Sequence, residues 1–98
     1  MEEEATMQLK PVSLQLGTAE RVGFEVQKLS DGRSMVFIPS VPNMWSGITQ
    51  ILPADQITDL DAPFTSVMEL SERYGLGAEE LISKKIEPAP STIAPEKA

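Results

Sequence analysis

The sequence predicts an α+β domain, a small, mostly antiparallel sheet of three to five strands with one longer and one short helix packed on one face. Three observations carry that expectation. An Asp-Gly pair, Asp31-Gly32, lies between two apolar runs, a strong hairpin signature because glycine accepts positive φ. No charged residue occurs between Ser34 and Ala54, and Pro, Asn and Gly residues divide that stretch into two strand-length runs around a loop. After Asp61-Ala62-Pro63, apolar residues recur at three- and four-residue spacing, the period of a helix lying on a sheet.

Taken in order, residues 1–6 form an acidic lead with little to pack, predicted to fray. A single domain is expected over residues 7–85. Met7 to Leu16 alternates imperfectly and slips at Pro11, which suits two short edge-strand pieces, and such an edge is a candidate for pairing between copies of the chain. Gly17 to Arg21 is the turn. Val22 to Leu29 sets Val22, Phe24 and Val26 against Gly23, Glu25 and Gln27, a strand with one wet face. Ser30-Asp31-Gly32 turns the chain into Arg33 to Pro39, whose Met35-Val36-Phe37-Ile38 core has no polar face and predicts a strand covered on both sides.

Ser40 to Ser46 is too long for a tight hairpin and reads as a structured loop before a third strand, Gly47 to Leu52, closed by Pro53. Asp55 to Asp61 reads as an extended segment with one bend. Asp61 is the expected helix N-cap with Pro63 in the first turn, and Phe64, Val67, Met68, Ser71 and Tyr74 form the stripe that meets the sheet, with Gly75 as the C-terminal cap. Leu76 to Lys85 predicts a second short helix anchored by Leu81 and Ile82, with Glu79 and Glu80 at its start and Lys84 and Lys85 at its end, as the macrodipole favours. Residues 86–98, rich in Pro, Ala, Glu and Ser, read as a disordered tail.

Composition excludes more than it assigns. The chain has neither cysteine nor histidine, which removes disulfides, thiolate metal sites, cysteine nucleophiles and the usual general base. A formal charge of -7 argues against nucleic acid and anionic lipid, whose phosphates are bound by Lys and Arg. The uncharged stretch is long enough to span a bilayer, but Pro39, Pro42, Asn43, Gly47, Gln50 and Pro53 interrupt it, and the freed backbone groups have no partners in lipid. Met1 to Glu4 is acidic where a targeting segment is positive. The chain therefore reads as soluble, with no cofactor and no catalytic residue expected.

The run VFIPSVPNMWSG, Val36 to Gly47, followed by Pro53, Ile57 and Leu60-Asp61, resembles the soluble domain of the domain-of-unknown-function family numbered 502, which includes plant proteins named for a continuous vascular ring. Pro39, Pro42, Asn43, Ser46, Gly47, Pro53, Leu60 and Asp61 follow its pattern in order and spacing, and Val22-Gly23-Phe24 is similar to the Gly-Phe strand before it. The likeness spans Val22 to Gly75. Many members carry proline and a small residue where Met44 and Trp45 stand, and end the helix with Ser-Gly-Gly where this chain has Gly75-Leu76-Gly77. The resemblance implies membrane association through two N-terminal spanning helices, which this sequence does not contain, and no assigned activity.

The candidate interaction loop comprises Pro39, Pro42, Asn43, Trp45, Ser46 and Gly47. Its Asn and Gly suit either a recognition loop or plain left-handed turn positions stiffened by proline. Trp45, the sole tryptophan, either anchors a partner or folds back to cap a core short of aromatics. Ser46 lacks a base to activate it. Asp55, Asp59 and Asp61 support the competing reading, a small metal- or small-molecule-binding enzyme, although they lack the glycine and glutamate of a calcium loop. The favoured expectation is a non-enzymatic interaction domain that binds a protein partner or self-associates through the Ser40 to Gly47 loop or a sheet edge.

Overall fold

The computed structural model describes residues 8–86. Five strands, Lys10–Leu16 (β1), Ala19–Lys28 (β2), Arg33–Pro39 (β3), Gly47–Pro53 (β4) and Ile57–Asp59 (β5), form one sheet in the order β4-β3-β2-β1-β5. Every neighbouring pair is antiparallel. A 3-10 turn, Ala54–Gln56, joins β4 to β5, and two helices follow, Phe64–Glu72 (α1) and Ala78–Ile82 (α2). The expected α+β class is the one observed. The acidic lead lies wholly outside the described residues, and so does the tail predicted from residue 86, except for Ile86 itself.

The short link between β4 and β5 dictates the shape of the sheet. These strands stand at opposite ends of the order, about 19 Å apart if the sheet were flat, whereas a three-residue 3-10 link reaches only about 10 Å. The sheet must curl. Inside the curl, Val12, Leu14, Val36, Ile38 and Leu52 pack into one core, with Leu16 and Ile57 against it. The Gln56 side-chain amide donates to the Gln15 carbonyl at 2.7 Å and ties the link down onto β1.

A second core fills the outer face beneath the helices. Phe24, Met44, Leu60, Val67 and Leu81 are buried there, with Phe37, Phe64 and Met68 packed alongside. Alternation along β3 serves both: Ser34, Val36 and Ile38 point into the curl and Phe37 towards the helices, as expected for a strand covered twice.

Several sequence expectations are corrected. β1 is not an edge, because β5 pairs with Val12 to Leu14 on the side away from β2. Pro11 is accommodated at the start of the strand, where its carbonyl accepts from the Leu60 amide. The polar face of β2 is wet only at Gln27, past the bulge: the curl buries Gly23 and Glu25. A Cβ at Gly23 would stand 2.6 Å from the Phe37 carbonyl oxygen, so close strand packing fills the place of a side chain. Val26 falls at a bulge against β3.

Asp61 is not the N-cap. Pro63 holds that position in an extended conformation with no side-chain cap, while the Asp61 amide donates to the Lys84 carbonyl. The stripe on α1 loses its last member, because the helix closes before Tyr74, which takes φ 58° and is 73% exposed. α2 is shorter than expected, leaving Leu76 exposed and Lys84 and Lys85 beyond its end, where Lys85 bridges to Leu60.

Candidate functional site

The Ser40 to Gly47 loop connects β3 to β4 and is held by its own residues. Pro39 pairs with Gly47 at its base, where a Cβ on Gly47 would run into the Ile38 carbonyl. The Ser40 amide donates to the Ser46 carbonyl at 2.7 Å, and the Ser46 amide to the Asn43 carbonyl at 3.2 Å. Asn43 Oδ1 accepts from the Trp45 amide at 3.1 Å, the local turn that asparagine forms readily. The Val41–Pro42 peptide is cis. From α1, the Ser71 hydroxyl donates to the Ser40 carbonyl at 2.7 Å, so the loop is clamped to the helix.

Within this frame adjacent residues have opposite fates. Met44 is 2% exposed and joins the outer core, whereas Trp45 is 67% exposed. Trp45 is nevertheless not loose. Its ring lies 5.8 Å from Phe64, which stacks 5.2 Å from Phe24, which stacks 6.4 Å from Phe37. An aromatic row thus runs from the core to the surface and ends in Trp45. Pro39, Pro42, Asn43, Ser46 and Gly47 come together as scaffold, and Trp45 is the side chain they present.

β4 runs on from the loop, with Ile51, 40% exposed, on the helix side of the sheet as Trp45 is, and Ile48, 59% exposed, on the curl side beside Ile38; Val41 of the loop is also exposed. The Ser40–Ser46 bond makes Pro39 and Gly47 a non-hydrogen-bonded pair, so by alternation the amides and carbonyls of Thr49 and Ile51 point away from β3. No charged side chain lies on the loop or on β4.

Charge gathers elsewhere. Glu25 is buried in β2, and its Oε2 accepts from the Ser34 hydroxyl at 2.7 Å and from Lys28 at 3.1 Å, while Lys10 stands 3.5 Å from Oε1. Burial pushes this carboxyl up, but the Ser34 hydroxyl and the two ammonium groups outweigh it and hold it below the ordinary carboxylate range. Glu20, bonded by Lys85 at 2.7 Å and by the Ser13 hydroxyl, is likewise held low, chiefly by Lys85. Sequence reading missed Glu25 because polar alternation signals water unless the opposite wall of the sheet is known. Its facing cations, Lys10 across the strand pair and Lys28 three residues on, were the available clue.

Asp55, Asp59 and Asp61 do not converge on one point: Asp55 on the 3-10 turn and Asp59 on β5 line an open cavity with Glu25 and Lys28, while Asp59, 3.8 Å from Lys10, and Asp61 after β5 line a neighbouring one. Among the described residues no group of three acidic side chains is placed to hold a metal ion. No helix among them is long and apolar enough to cross a membrane. Comparison with protein-family models, with curated proteins and with solved structures gives no match to this chain.

Proposed function

We propose that this chain is a non-enzymatic interaction domain that binds a protein partner, or a second copy of itself, through the Ser40 to Gly47 loop and the adjoining β4 edge. The observation that carries the reading is Trp45. Burying a large aromatic side chain stabilises a small domain by about 2–3 kcal/mol, yet this chain places Met44 inside and its sole tryptophan in water. The surrounding backbone is clamped by Ser71 and stiffened by Pro39 and Pro42, so ordering Trp45 on binding costs little. Rigid aromatic anchors set among uncharged neighbours are the usual core of a protein interface.

The resemblance to family 502 adds a location to this reading: a soluble domain displayed by a membrane-anchored protein, with the loop as its contact. The enzymatic alternative built on Asp55, Asp59 and Asp61 is the weaker reading, because no three acidic side chains among the described residues are placed to hold a metal ion and the cations Lys10 and Lys28 stand in the same cavities. A protein captured by the chain is expected to bind Trp45→Ala at least about tenfold more weakly. Leu76→Ala, which removes another exposed apolar side chain, is expected to leave its affinity unchanged. A captured partner indifferent to Trp45→Ala would overturn the assignment of the loop.

A further inference from the structure

We infer that the partner of the β4 edge is a second copy of this chain, joined by antiparallel pairing of β4 with β4 about a two-fold axis through Gln50. The inference rests on the interaction reading above and names its partner. It starts from the two ends of the sheet. β5 is held on both sides, by β1 and by the backbone bonds Asp61 to Lys84 and Ile86 to Asp59. β4 is bonded to β3 alone, so among the described residues it is the long edge left open.

Proteins commonly blunt such an edge with a lysine, an inward charge, a bulge or a proline. β4 carries none of these between Gly47 and Leu52 and reaches a proline only at Pro53. Its open groups are also self-complementary. With Gln50 on the axis, Thr49 of one copy faces Ile51 of the other, and the converse, as two hydrogen-bonded pairs of two N–H···O bonds each. Thr49 and Ile51 share a face, so β-branched side chains meet across the seam, and the Gln50 amide meets its own twin, to which it both donates and accepts. Pro53 falls opposite Gly47, where its missing N–H ends the ladder.

Charge selects the same occupant. Two copies at -7 each repel over most of their surface, but Ser34 to Ala54 carries no charge, so β4 is where two acidic chains approach at least electrostatic cost. A basic partner gains nothing from an uncharged edge. Association of like-charged copies through it must therefore strengthen as salt screens the repulsion, the reverse of a contact made by opposite charges.

Sedimentation of the full chain from about 10 µM to about 1 mM is expected to show a monomer–dimer equilibrium that shifts towards dimer with added salt. Ile51→Lys puts a charge on the seam and is expected to weaken the dimer at least about tenfold. Thr49→Pro removes an outward N–H and should act alike, while Tyr74→Lys, on an exposed residue elsewhere, should not. A monomer throughout the range, or a dimer unaffected by Ile51→Lys, overturns the inference. Either result leaves the loop reading to its own test, since Trp45→Ala acts on a captured partner without involving the seam.

Discussion

Met44 and Trp45 show how one residue step decides whether a side chain holds the fold or faces outward. Met44 touches the core shared by Phe24, Leu60, Val67 and Leu81, and truncating it leaves a cavity beneath α1. Met44→Ala is therefore expected to lower unfolding free energy by about 2–5 kcal/mol. Trp45→Ala removes a largely exposed side chain whose ring packs on Phe64, and its cost should stay within about 1 kcal/mol. Urea unfolding followed by circular dichroism measures both. Tryptophan emission suits this poorly, because an exposed Trp45 should already emit at long wavelength and be quenched by iodide in the native state. Equal costs for the two substitutions would contradict the division of roles between core plug and presented anchor.

At the scale of elements, the end of α1 carries a local conflict. The Tyr74 amide donates to the Ser71 carbonyl at 3.1 Å and the Gly75 amide to the Leu70 carbonyl at 2.8 Å, the paired bonds of a Schellman cap. That cap requires a left-handed residue at position 74, and the sequence supplies its glycine one residue later. A left-handed tyrosine costs about 1 kcal/mol and gains little in return, since the ring is exposed. Tyr74→Gly should thus stabilise the domain by up to about 1 kcal/mol in thermal unfolding, and a destabilisation would mean the ring has a packing role. Elements whose geometry is local are legible in the sequence, and those that depend on distant segments are not. The Asp31-Gly32 hairpin was readable because its geometry is local: Gly32 takes φ 94° and Asp31 Oδ1 accepts from the Arg33 amide at 3.0 Å. So was the structured course of the Ser40 to Gly47 loop, which its Pro, Asn and Gly residues dictate. The place of β1, the burial of Gly23 and Glu25 on β2 and the outward turn of Tyr74 were not readable, because each depends on a segment distant in sequence or on a cap shifted by one residue. Which of Met44 and Trp45 turns inward also lay beyond a local pattern, since the answer comes from α1 lying above them.

For the whole molecule, two opposing electrostatic effects act as pH falls. Titrating carboxylates reduces the net charge from -7 towards zero near the sequence pI of about 4.4, which relieves self-repulsion and favours the compact state. Against this, Glu25 and Glu20 are held below their ordinary range by Ser34, Lys28, Lys10, Lys85 and Ser13. A carboxyl whose folded pKa lies below its unfolded one contributes stability that is complete above the ordinary value of about 4.3 and is lost as pH falls through the folded value. Position decides which effect wins. Relief of repulsion between exposed charges is small and salt-screened, whereas protonating Glu25 disturbs a buried carboxylate that also satisfies the buried Ser34 hydroxyl. The melting temperature is therefore expected to hold from neutral pH to about pH 5 and to fall below it. Glu25→Gln should cost about 1–3 kcal/mol at neutral pH and flatten the acid limb, because the group whose protonation drives it is gone. Lys28→Ala should cost less, since that ammonium is mostly exposed and its pair with Glu25 is screened. A melting temperature that climbs steadily from neutral pH to pH about 3 would show instead that self-repulsion dominates and that Glu25 is a passenger in the curl rather than one of its fastenings.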